Sequence, residues 1–207
     1  MSSDYTLAID PGPVKSGWIT WGEGTIWKFG HTDNDKLIEM MEIEWANWSH
    51  LVIEDVSHYG PDITVGKDVF DTCKWMGRFD QFNRDNEGAP TTYISRPDIK
   101  LHLLGVRRGT DSQVRMALID KYGGEREAIG GIKCKTCKGK GWNGRGRPAC
   151  LDCHHVYEAG ADQSRQYPVG CGYEVHPGPL HGVTTHVWSA LAVLQTYLDQ
   201  QDTEVPM

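Results

Sequence analysis

Tyr5-Thr6-Leu7-Ala8-Ile9-Asp10-Pro11-Gly12 is the stretch that decides the fold of this chain. It has the composition of a buried strand and stops at a carboxylate. Pro11 fixes φ and Gly12 lets the backbone turn sharply, so Asp10 stands at the strand's C-terminal end. In open α/β sheets that edge is where sites form. Asp-Pro-Gly is also ordinary turn chemistry, so the acid gains meaning only with a partner. Leu51-Val52-Ile53-Glu54 supplies one: a second short apolar strand that runs into a carboxylate. Two such strands side by side bring acidic oxygens within reach of a hard cation such as Mg²⁺, which takes octahedral oxygen ligation. Two ions about 4 Å apart activate a water and stabilise the leaving oxygen of a phosphodiester. Asp55 follows Glu54 and points to the opposite face of the strand.

Working outward, 17–21 and 25–29 read as two strands, with Gly22-Glu23-Gly24 as the hairpin turn between them. Residues 33–48 read as a helix with Leu37, Ile38, Met41, Trp45 and Trp48 at helical spacing. A second helix over 66–85 carries Val69, Phe70, Cys73, Met76 and Gly77 on one broad face, with Cys73 as a buried thiol. Residues 91–94 form another strand. A helix over 110–122 starts at Thr110 or Asp111 and ends at Gly123-Gly124. Residues 182 to about 200 form an apolar closing helix, and the polar tail from Asp199 reads as frayed. The order predicts an α/β layer sandwich on a mixed sheet. The chain divides into a first core part over 1–123, an insertion over 124–181, and a closing helix with its tail over 182–207.

Composition narrows the function. The chain has 207 residues, 21 Lys+Arg against 28 Asp+Glu, and a net charge of −7. A chain this acidic is no generic polycation for nucleic acid, so any DNA contact must use local basic patches. No apolar run nears the roughly 18 residues of a membrane helix, and no secretory signal opens the sequence. These features lead us to expect a reducing cytoplasm. There, six cysteines point to free thiols or metal ligands rather than disulfides.

Four ordered blocks resemble the RuvC family of Holliday-junction resolvases, within the RNase H-like nucleases. They are Ala8-Ile9-Asp10-Pro11-Gly12 with Ser16-Gly17-Trp18; Val52-Ile53-Glu54-Asp55-Val56; Pro97-Asp98-Ile99-Lys100 with Gly105 and Ser112-Gln113-Val114; and His186-Val187-Trp188-Ser189-Ala190-Leu191-Ala192-Val193. The whole chain is most similar to a phage-borne variant. The resemblance implies an RNase H-like mixed five-stranded sheet with flanking helices. It also implies that Asp10, Glu54 and His186 are catalytic and hold Mg²⁺ or Mn²⁺, as a pair of ions. The family's closing helix offers an acid three positions after its first ligand, and here Ser189 stands there. Imidazole in the set shifts preference toward Mn²⁺. The family also has a basic residue before Ser112-Gln113-Val114, where this chain has Asp111; Arg107 and Arg108 lie near enough in sequence to replace that charge. Lys100, Arg107 and Arg108 are expected on the DNA backbone. Tyr59, in the loop after Glu54, is the candidate for an aromatic wedge at the junction centre. The helix over 66–83 is the implied homodimer face.

The insertion carries its own signal. Cys134-Lys135-Thr136-Cys137 and Cys150-Leu151-Asp152-Cys153 are two CxxC pairs, 12 residues apart. Four thiolates at such spacing suit a structural, tetrahedral Zn²⁺. Around them Lys133, Lys135, Lys138, Lys140, Arg145 and Arg147 are joined by no acid from 133 to 147. That patch suits phosphate contact, and Trp142 within it suits stacking on a base. DNA-binding candidates here are Lys138, Lys140, Trp142, Arg145 and Arg147.

The expected function is metal-dependent endonuclease action on branched DNA, foremost the resolution of Holliday junctions by paired phosphodiester hydrolysis in a homodimer. Two alternatives stand beside it. One is a nuclease of the same fold acting on flaps, forks or duplex DNA. The other is a non-catalytic, structure-specific DNA-binding protein, which the serine at 189 favours.

Overall fold

The computed structural model describes residues 5–44, 49–56, 66–88, 90–130, 157–159, 166–168 and 178–204. Two compact units divide the chain: Met1–Leu118 with Val183–Met207, and Ile119–Gly182.

The first unit is built on a five-stranded mixed sheet in the order β3-β2-β1-β4-β5. β1 (Thr6–Asp10) pairs antiparallel with β2 (Lys15–Gly22), which pairs antiparallel with β3 (Thr25–Asp33). Glu23 and Gly24 both take positive φ, 52° and 78°, as a tight hairpin whose twist matches the strands requires. On its other side β1 runs parallel to β4 (His50–Asp55), and β4 parallel to β5 (Thr92–Ser95). Apolar residues run continuously through the middle of β1 and β4, as strands covered on both faces require.

The helices are α1 (Asn34–Glu44), α2 (Lys67–Asp85), α3 (Arg96–Leu104), α4 (Asp111–Lys121), α5 (Glu125–Ala128) and α6 (Thr185–Glu204). Leu7, Ile9, Leu51 and Ile53 meet Leu37 and Met41 of α1 and Met76 and Phe79 of α2 in one core cluster. α6 lies against β1, β2 and β4, which gives the sheet its second cover. α6 comes this close because β2 carries Gly17: a Cβ there would run into the His186 carbonyl oxygen.

Two expectations need correction. The buried stripe of α2 is Thr72, Met76, Phe79 and Asn83, whereas Phe70 is 58% exposed and Cys73 is exposed, not a buried thiol. Thr72 tolerates burial because its hydroxyl donates to the Asp68 carbonyl at 2.7 Å. α6 does not fray at Asp199 but continues to Glu204. Asp199 is anchored there, 2.7 Å from His102 Nε2 and 2.8 Å from Gln195 Nε2. The basic segment after β5 is helical: α3 starts at Arg96 with Ser95 as its N-cap.

In the second unit, α5 is followed by β6 (Tyr157–Ala159) and β7 (Gln166–Pro168), an antiparallel pair. The returning chain bonds beside α5 through Gly178 N–H to Ile129 O and Leu180 N–H to Ala128 O, at 3.1 and 2.7 Å. Cys134, Cys137, Cys150 and Cys153 lie outside the described residues, as do Lys138, Lys140, Trp142, Arg145, Arg147 and Tyr59.

Candidate active site

Asp10 ends β1, Glu54 lies at the end of β4, and the parallel register Ile9↔Ile53 sets the two carboxylates side by side. Strand alternation turns both away from the α1–α2 core and toward α6. The turn after Asp10 is fixed by a buried polar network. Asn34 Nδ2 donates to the Gly12 carbonyl at 2.9 Å, and the Ser16 hydroxyl donates to Asn34 Oδ1 at 2.7 Å. Gly12 N–H completes the loop by donating to Ser16 Oγ at 3.3 Å. Such a fully satisfied network gives a rigid mount for the acid.

The pair opens into a cleft of about 840 Å³ between the sheet edge and helices α3, α4 and α6. His186 and Ser189, one turn apart on α6, both face it. His186 Nδ1 is 3.4 Å from Asp10 Oδ2, and the Ser189 hydroxyl hydrogen-bonds the Asp10 carboxylate. The ring of His31, from β3, stacks on His186 at 4.6 Å between centroids. Burial, the neighbouring His186 and then Lys15 push the His31 imidazole toward its neutral form.

Opposite Ser189 stands a residue that sequence reasoning passed over. Arg96 Nη1 lies 2.7 Å from Glu54 Oε1 and 3.0 Å from Oε2. Its Nη1 and Nη2 are 3.4 and 3.5 Å from Ser189 Oγ. Nη2 also pairs with Asp111 Oδ1 at 3.0 Å, and Lys100 Nζ reaches the same oxygen at 3.4 Å. The charge of Asp111 is thus met by Arg96 and Lys100. Arg107, expected with Arg108 to replace the basic charge that the resemblance implies at position 111, pairs with Asp98 at 3.2 Å. Local sequence gave little warning of Arg96. Only the pairing Glu54↔Ile94 between β4 and β5 brings the residue after β5 to Glu54. The available signal was an arginine directly before a proline at the mouth of a helix, on the strand next to an acid-bearing one.

The electrostatics follow from crowding two acids in a poorly hydrated place. Burial raises the Asp10 carboxyl to about 6; Arg96 and the Ser189 hydrogen bond pull it down, and Asp111 pushes it up. Burial and then the Asp10 charge raise Glu54 to about 7, although Arg96 attracts its ionised form. Burial works against the Arg96 charge, but Glu54 and Asp111 outweigh it and keep the guanidinium protonated. The same guanidinium, with Lys100, holds Asp111 below its ordinary range despite partial burial.

Among the described residues no three His, Cys, Asp or Glu side chains converge as a ligand set. The donors nevertheless fit one divalent cation at Asp10. Ligands about 2.1 Å from an octahedral ion stand about 3 Å apart, near the 3.4 Å between Asp10 Oδ2 and His186 Nδ1. Arg96 already bonds both oxygens of Glu54, and position 189 offers a hydroxyl in place of a carboxylate.

No protein-family model and no curated protein sequence matches the chain. Solved structures do. A structure of Thermus thermophilus RuvC shares 10% identity at a TM-score of 0.54, covering 96% of each chain. The T. thermophilus RuvC in complex with Holliday junction substrate shares 10% identity at 0.55, covering 97% of this chain and 96% of that one. With its mixed five-stranded sheet and flanking helices, this chain has a RuvC-like fold of the RNase H-like class.

Proposed function

We propose that the protein is a divalent-metal-dependent endonuclease that resolves Holliday junctions or related branched DNA by paired phosphodiester hydrolysis. The observation that carries this reading is the pair of half-buried Asp10 and buried Glu54 at the C-terminal edge of two parallel strands, open to a cleft flanked by Arg96, Lys100 and Arg115. The likeness of fold to a protein solved with a Holliday junction supports the choice of substrate.

Each side chain has a distinct task. Asp10 and His186 hold the cation, with Glu54 as the second acid. A bound Mg²⁺ or Mn²⁺ supplies Lewis-acid stabilisation of phosphate charge and lowers the pKa of water at the site. Arg96 sets a fixed positive charge beside the acids, and Lys100 and Arg115 supply further charge where a phosphate enters. Arg115 is itself positioned on the face of Trp188, 4.9 Å from the ring centre. Lys100, Arg107 and Arg108 track the backbone, and Tyr59 serves as the wedge. Paired cuts require two sites about a two-fold axis, so the active form is a homodimer through α2, whose Phe70 and Val69 stand exposed. The CxxC pairs hold a structural Zn²⁺, and Lys138, Lys140, Trp142, Arg145 and Arg147 extend the DNA contact. Among the described residues no helix is long and apolar enough to cross a membrane.

Substrate competition tests the assignment. Labelled four-way junction is incubated with unlabelled junction, flap, fork and linear duplex in turn. The reading predicts that junction competes best and is cut in symmetric pairs. Equal competition by flap, fork or duplex would replace the resolvase with a broader nuclease of the same fold.

A further inference from the structure

We propose that Arg96 is a built-in second cation, so that the site takes one exchangeable divalent ion and not two. The inference rests on the nuclease reading above for its substrate, but on the local geometry alone for its claim. A second ion in an acid pair of this kind needs carboxylates on both sides. Here one side is Glu54, both of whose oxygens are taken by Arg96 Nη1. The other side is Ser189, whose neutral Oγ lies 3.4 and 3.5 Å from the two guanidinium nitrogens. The guanidinium therefore spans the two positions between which the ion would sit.

Arg96 is also held there. Asp111 pulls on Nη2 at 3.0 Å, Lys100 steadies Asp111, and the backbone is fixed because Arg96 opens α3 behind the Ser95 cap. The charges are consistent with a single remaining ion. With both acids ionised, as a bound cation requires, Asp10, Glu54 and Asp111 bring three negative charges, and Arg96 and Lys100 bring two positive ones. One negative charge is left, and it lies on the Asp10 side, where His186 stands. A planar, permanently charged fork is well suited to the role because it binds a carboxylate through two hydrogen bonds and cannot deprotonate. The substitution at 189 and the arginine at 96 are then one change: a hydroxyl accommodates the guanidinium where an acid would attract a metal.

Manganese stoichiometry tests this without reference to cleavage. Zinc-loaded, full-length protein is titrated with Mn²⁺, with Asp10→Asn as the blank for surface sites, and bound Mn²⁺ is read by electron paramagnetic resonance. Wild type is expected to bind one Mn²⁺ per chain, with a spectrum free of Mn–Mn dipolar coupling. Ser189→Asp alone should still bind one, because Arg96 pairs with the new acid. Arg96→Gln with Ser189→Asp should bind two, with coupling. Two coupled ions in wild type, no Asp10-dependent ion, or no second ion in the folded double variant would each overturn the proposal. Should the double variant fail to fold, the wild-type and Ser189→Asp results decide alone. One uncoupled ion in a protein that cuts no DNA would sink the nuclease reading and leave this one standing. Two coupled ions in an active junction nuclease would do the reverse.

Discussion

Asp10 and Glu54 are carboxylates pressed together in a place that hydrates them poorly, and that has a consequence for stability. In the unfolded chain both titrate near their ordinary values, about 4. In the folded protein they titrate at about 6 and about 7. The folded form therefore holds protons that the unfolded form has released. The stability this gives is complete below about pH 4 and is lost as pH rises through 7. Without added Mg²⁺ or Mn²⁺, Asp10→Asn should gain melting temperature over wild type as pH goes from 5 to 8, and Mn²⁺ should erase that gain at pH 8. Thermal melts of both proteins across that range check it; a difference that stays constant with pH would contradict it. At this scale the acids were readable because each closes an apolar strand. Arg96 was not, because its partner Glu54 is 42 residues away and only the β4–β5 pairing joins them. His31 was hidden in the same way, since it reaches His186 only through the pairing of β3 with β2 and the packing of α6.

Among the elements, the strands were the most legible and the faces of α2 the least. β1 and β4 announce themselves as short apolar runs with abrupt ends. α2 carries apolar residues on more than one side, so periodicity alone favoured Phe70 and Cys73 over the stripe that is buried. Thr72 and Asn83 belong to that stripe because their polar atoms find partners: Thr72 on Asp68 O, and Asn83 Nδ2 on Thr91 Oγ1 at 3.2 Å. The two faces make different predictions. Phe79 is fully buried in the core cluster, so Phe79→Ala should cost about 3–5 kcal/mol in a denaturant titration. Phe70 is exposed in one chain and lies on the proposed dimer face. Phe70→Asp should therefore turn a dimer into a monomer in sedimentation, with the far-ultraviolet circular dichroism unchanged. A loss below about 1 kcal/mol for Phe79→Ala would refute the packing, and a Phe70→Asp protein that stays dimeric would refute the face.

For the whole molecule, the sheet order follows from the strand sequence once β1 is taken as its centre. β2 and β3 return as a meander on one side, while β4 and β5 arrive by helical crossovers on the other. That arrangement is what puts the strand-end acids, the α6 pair His186 and Ser189, and the arginine after β5 around one cleft. At position 189 a guanidinium lies against the serine, which the one-dimensional pattern showed only as a missing ligand. Whether this cleft cuts DNA is the central claim, and cleavage of a labelled four-way junction tests it most directly. Wild type, Asp10→Asn and Glu54→Gln are compared in Mg²⁺ and in Mn²⁺, with junction binding measured beside cutting. The account predicts paired nicks from wild type that fall at least about a hundredfold in Asp10→Asn, since losing a ligand exceeds the effect of losing its outer-shell partner, and that also fall in Glu54→Gln, which loses the carboxylate that fixes Arg96. Binding should survive. Cutting that persists in Asp10→Asn would contradict the site, and tight binding by wild type with no cut in either metal would make the protein a structure-specific binder instead.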